Sequence, residues 1–147
     1  TVHTGVAQAT SNLELSGPVV VGVSTTNTKL NDISFFLQLA AGGASVDMNK
    51  VTFTVSTAGQ MKTYKYTEVT PKWYANGVEQ GSAGAGANAM LDKFEMVKIT
   101  IPKTGVLPTI APNARFTVEV KPDKGAALPI NRIAPPDFQT GRYYEVY

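Results

Sequence analysis

Carboxylates are the side chains of this sequence best placed to do chemistry in pairs. Asp32 with Asp47, and Asp92 with Glu95, could act as general acid and base or hold a hard cation between them. Neither spacing matches a calcium loop, and an Asp beside a strand ordinarily bonds local backbone in a turn. A small hydrolase built on Asp47 or Asp92 is therefore the least supported functional class. The single histidine is His3 and there are no cysteines. No His-ligated metal site, Ser-His-Asp triad, thiolate zinc site or iron–sulfur cluster can be assembled from such a set. The expected catalytic, cofactor-binding and metal residues are none, and no cofactor is implied.

Two further groups could form binding sites. Gly77, Gly81, Gly84 and Gly86 punctuate the segment 77–88, which lacks the Gly-Lys-Ser/Thr ending and strand-then-helix setting of a phosphate cradle. It reads as a flexible surface loop. Trp73 and Tyr74, with Tyr64 and Tyr66, could form an aromatic platform for sugars, although aromatics at alternating strand positions more often pack in a core. Tyr143, Tyr144 and Tyr147 admit two readings equally, an interface patch or a last strand closing the domain.

The elements that must carry these residues are strands. A chain of 147 residues, 43% hydrophobic and 16% charged, suits one globular domain. Its net charge of +2 is too small for an electrostatic grip on nucleic acid. No apolar run in it reaches the roughly 18 to 20 residues that cross a bilayer, so the chain is expected to be soluble. Leu13, Leu15, Val19, Val21 and Val23 alternate along one strand, with Gly17-Pro18 predicting a bulge or edge feature. Ile33, Phe35, Leu37 and Leu39 mark a second. Val51, Phe53 and Val55 lead through Thr57-Ala58-Gly59-Gln60 to Tyr64 and Tyr66, a hairpin pattern. Between Phe94 and Ile101 the apolar parity switches from even to odd, which predicts a bulge or burial on both faces. Phe116, Val118 and Val120 form the cleanest strand, Pro122-Asp123-Lys124-Gly125 the turn after it, and the stretch around Leu128 to Arg132 a strand that pairs back. Tyr143 to Tyr147 reads as a terminal strand.

The pattern differs at the start. Val2, Val6, Ala9 and Leu13 recur at helical spacing, which predicts a helix over residues 1–12. Three turns alone are marginal in water, so this stretch reads as the end of something longer. The expected organisation is a residual helix end over 1–12 and a β-sandwich domain over 13–147.

The residues also carry a resemblance. V-H-T-G-V-A-Q-A-T-S-N-L-E-L-S-G, S-V-D-M-N-K-V-T-F-T-V-S (Ser45 to Ser56), F-E-M-V-K-I-T-I-P and above all F-T-V-E-V-K-P-D-K-G-A-A-L-P-I (Phe116 to Ile130) resemble archaeal flagellins, or archaellins. The resemblance covers essentially the whole chain. It implies a type IV pilin-like subunit: a long hydrophobic N-terminal helix in the filament core and an immunoglobulin-like β-sandwich, two mainly antiparallel sheets, outside. It further implies a structural role in the archaellum that serves swimming motility, with no catalysis, at the cell surface. The partners would be other archaellin subunits in a homopolymer, not nucleic acid, with the full-length form membrane-inserted before assembly and this chain soluble and monomeric. Val2, Val6, Ala9 and Leu13 would lie at the seam between helix and head or between subunits. Two family features are not carried over: the sequence has no Asn-x-Ser/Thr site for N-linked sugar, and the 81–88 segment lacks the acidic residues of a cation loop. The alternative reading is an archaeal type IV pilin-like adhesin or a carbohydrate-binding surface domain using Trp73 and Tyr74.

Overall fold

A strand that alternates apolar and polar residues buries one face and wets the other, and the chain repeats this device along nearly its whole length. The computed structural model describes residues 11–84 and 88–147. The strands are β1 (Leu13–Val23), β2 (Leu30–Leu39), β3 (Val46–Asp47), β4 (Thr52–Ser56), β5 (Met61–Lys65), β6 (Thr70–Ala75), β7 (Val78–Gly81), β8 (Met90–Leu91), β9 (Glu95–Ile101), β10 (Arg115–Lys121), β11 (Leu128–Ile133) and β12 (Tyr143–Val146). Single 3-10 turns at Met48–Lys50 and Tyr66–Glu68 interrupt them.

The strands form a β-sandwich. One sheet has six strands in the order β12-β1-β2-β9-β6-β7, the other four in the order β11-β10-β4-β5, and β3 pairs with β8 in a small third sheet. All the pairings are antiparallel. Ile33, Phe35 and Leu37 of β2 and Val97, Ile99 and Ile101 of β9 face Phe53 and Val55 of β4 and Phe116, Val118 and Val120 of β10 in one core. Phe35 and Phe53 meet across the two sheets with ring centroids 6.4 Å apart. Each such side chain contributes about 1.5–3 kcal/mol by leaving water.

The strands define two ends of the sandwich. At the proximal end Asn12 precedes Leu13, and its carbonyl accepts from the Ala40 N–H at 2.8 Å, just beyond β2. At the distal end β1 finishes at Val23 and β2 begins at Leu30.

Several expectations hold and several need correction. The Gly17-Pro18 feature is a register break between Ser16 and Val20, with Gly17 at φ 81°. The predicted helix falls largely outside the described residues. Its last two positions, Ser11 and Asn12, are not helical: the Ser11 hydroxyl accepts from the Leu13 N–H, and Asn12 is tied to Ala40. The parity switch near Phe94 is neither a bulge nor two-sided burial. β9 starts at Glu95, which takes the first inward position and is 7% exposed, while Phe94 stands before the strand at φ 64°. Tyr66 lies in a 3-10 turn, so only Tyr64 alternates on β5. Finally, the segment read as a loop over 77–88 contains β7, hairpinned to β6 through Asn76-Gly77. Both turn residues have positive φ, 50° and 80°, as a tight hairpin requires.

Candidate subunit-contact surfaces

Three of the four carboxylates that could have done acid–base chemistry are used in turns. Asp47 accepts from the Asn49 N–H at 3.0 Å and so caps the first 3-10 turn. Glu95 accepts from the Asp92 N–H at 2.9 Å, and Asp92 accepts from the Ser45 hydroxyl, which together close the β8–β9 turn. Asp32 lies apart from Asp47, on the outer face of β2. Burial there raises its carboxyl above the ordinary value, against the lowering effects of Asn31, Lys98 and the Gly22 N–H. Among the described residues no group of three or more His, Asp or Glu is placed to hold a metal ion. Likewise no helix among them is long and apolar enough to cross a membrane.

The aromatic platform is corrected. Trp73 is 0% exposed, and its indole N–H donates to the Tyr66 hydroxyl at 3.0 Å. Tyr64 is also buried and donates to the Val106 carbonyl at 2.7 Å. Burial raises both phenols above the ordinary tyrosine value. Neither Trp73 nor Tyr64 can stack on a sugar from solvent. The closing strand is present: β12 pairs with β1 and buries Val146, while Tyr143 and Tyr147 stay outside, where the interface reading also places them. Of the seam residues, Val2, Val6 and Ala9 lie outside the described residues. Leu13 is buried in the sandwich core, opposite Leu39.

What the sandwich does offer is outer surface. On the six-stranded sheet, Phe36 packs against Tyr74 with centroids 5.7 Å apart, and the Lys98 ammonium sits 5.9 Å from the Phe36 ring. At the proximal edge of this face Phe94 projects, 81% exposed, beside a cleft lined by Leu39, Gly43, Tyr74 and Met96. The distal end carries a groove of about 490 Å³ lined by Leu30, Leu107, Pro108, Ile110 and Phe138, with Lys29 and Val106 also in its wall. The four-stranded sheet instead turns hydroxyls outward. Thr54 and Thr63 bond each other at 2.9 Å, and the Thr117 hydroxyl donates to Asn131 at 2.7 Å.

Sequence reasoning alone misses Phe94, because its apolar side chain counts toward the strand. The Asp92-Lys93 dipeptide before it is the available sign of a turn.

Comparison with known proteins accounts for a domain rich in surface and poor in reactive groups. The archaeal-type flagellin family matches residues 1–132. The protein named probable flagellin 1 of Archaeoglobus fulgidus is 38% identical over 150 residues, spanning 95% of this chain and 73% of that protein. Among solved structures, the archaeal flagellum of Methanospirillum hungatei strain JF1 superposes with a TM-score of 0.66 at 25% identity, over 95% of this chain and 73% of that one. The crystal structure of archaeal flagellin FlaB1 from Methanocaldococcus jannaschii shares the fold, with a TM-score of 0.71 at 12% identity over 93% and 97% of the two chains. The chain therefore belongs to the archaeal-type flagellins, the structural subunits of the archaellum filament that serves swimming motility.

Proposed function

We propose that residues 13–147 are the outer head of a filament subunit, and that residues 1–12 end the segment that tethers the head to the filament core. The observation that carries this reading is the family match, which runs through the head from its first strand into its eleventh. In this reading Val2, Val6 and Ala9 face the seam, while Leu13 anchors β1 at the head's side of it. The head performs no catalysis: Asp47, Asp92 and Glu95 are committed to turns, and Asp32 stands apart from them on β2. Alone it is soluble and monomeric. Within the longer protein it follows an apolar helix that is membrane-inserted before assembly, and the finished filament stands outside the cell. Adhesion through Trp73 is disfavoured, because that indole is buried.

Electron microscopy and light scattering test this. The full-length protein should form filaments, and residues 13–147 should remain monomeric at the same concentration. A full-length protein that stays monomeric under assembly conditions contradicts the reading.

A further inference from the structure

Phe94 is held in an unusual way for a large apolar residue. It is 81% exposed and has φ 64°, a region that bulky side chains seldom adopt. The turn carrying it is well braced: the Phe94 carbonyl accepts from the Asn76 N–H at 2.9 Å, and Glu95 accepts from the Asp92 N–H at 2.9 Å. The turn's backbone thus holds the Phe94 Cα in place, so the ring is presented outward as a knob from a fixed point. At the other end of the sandwich the distal groove of about 490 Å³ is walled by Leu107, Pro108, Ile110 and Phe138, with Val106 76% exposed at its lip. Roughly 150 Å³ is enough to hold a benzene ring.

Knob and groove cannot meet within one head. β2 begins at the groove with Leu30 and ends beside the knob's cleft with Leu39, and ten extended residues span about 30 Å. Exposed Asp92 and Lys93 stand just before Phe94, and exposed Lys29 lines the groove with no ion pair among the described residues, so Asp92 is the carboxylate beside the knob that a groove lysine could meet.

We propose that Phe94 of one subunit seats in the distal groove of another copy, with Asp92 facing Lys29 across the joint. This rests on the filament reading above and adds a specific contact to it. The two surfaces differ, so the contact is heterologous and does not close on itself, as a helical polymer requires. It is also far smaller than the 20 to 30 residues a side, roughly, of a stable interface. It leaves isolated heads apart and takes effect only where tethering raises their local concentration.

Residues 1–147 contain no cysteine, so cysteines introduced in the head are its only thiols. Full-length protein carrying both Lys93→Cys, beside the knob, and Thr109→Cys, in the groove wall, is assembled with Phe94 and Val106 intact and treated with a short bis-maleimide. The expected result is a ladder of covalent oligomers from filaments and none from isolated heads. Filaments without a ladder overturn the proposal and leave the filament reading standing. Covalent dimers from Lys93→Cys alone also overturn it, since two knobs would then be meeting. If the unaltered full-length protein forms no filaments, the filament reading fails and takes the proposal with it. Asp92→Lys should lower ladder yield several-fold, and adding Lys29→Asp should restore it. Restoration supports the pairing, and its failure in correctly folded filaments removes it.

Discussion

The inner faces of the two sheets are made of the same residue types, whereas their outer faces differ in what they offer a neighbour. Inside, Val, Ile and Phe alternate on β4, β9 and β10 alike. Outside, the six-stranded sheet presents Phe36, Tyr74 and Lys98 in contact with one another, and the four-stranded sheet presents Thr54, Thr63 and Thr117 in hydroxyl bonds. Threonine satisfies the strand preference for β-branched residues while remaining well hydrated. Folding dictates the inner faces, and it leaves the outer ones free to be divided between contact and solvent.

The contrast rests first on a shared core. Trp73→Ala on the six-stranded sheet and Phe53→Ala on the four-stranded one should each cost about 3–5 kcal/mol, read as lower midpoints in urea. A large disparity between them would mean that the two sheets do not share one core. Next comes the outer face of the six-stranded sheet, where a Cβ on Gly22 would lie 2.7 Å from an Asp32 carboxylate oxygen and 2.9 Å from the Tyr143 ring. Gly22→Val should cost about 1–2 kcal/mol, with part recovered by Tyr143→Ala.

Phe94 supplies a change of opposite sign. Phe94→Asn should stabilise the isolated head by about 0.5–1 kcal/mol, because Asn tolerates positive φ and little burial is lost. The same change should weaken filament assembly, so stability and assembly move in opposite directions. Asp32 gives a smaller, pH-dependent effect. Its carboxyl is raised above 3.8 by burial, so the folded state holds its proton more tightly than the unfolded state. Stability attributable to it is greatest below that value and falls as pH rises through the folded pKa. Asp32→Asn should therefore raise the Tm at neutral pH, with the gain shrinking as pH approaches 4. Smallest of all, Thr54→Val on the hydroxyl face should stay within about 0.5 kcal/mol of the parent.

Much of the fold is legible in the sequence because alternation is a local signal. Phe116, Val118 and Val120 show their burial directly, and Pro122 to Gly125 mark the turn after them. β6 and β7 are harder to see. Thr70 to Ala75 mixes Pro71, Lys72 and Trp73 without clean alternation, and Val78 to Gly81 is an exposed edge strand held by pairing with β6 alone. The contact surface is less legible again. Whether Phe94 belongs to a strand or a turn depends on Glu95 taking the first inward position, a tertiary choice that apolar counting assigns the wrong way round.

Hydroxyl-radical footprinting of filaments against isolated heads reads the division of the surface residue by residue. Phe94 and Val106 should lose most of their reactivity on assembly. Met61, 74% exposed on the outer side of the four-stranded sheet, should keep its own. Protection of Met61 with Phe94 and Val106 still reactive would contradict the account.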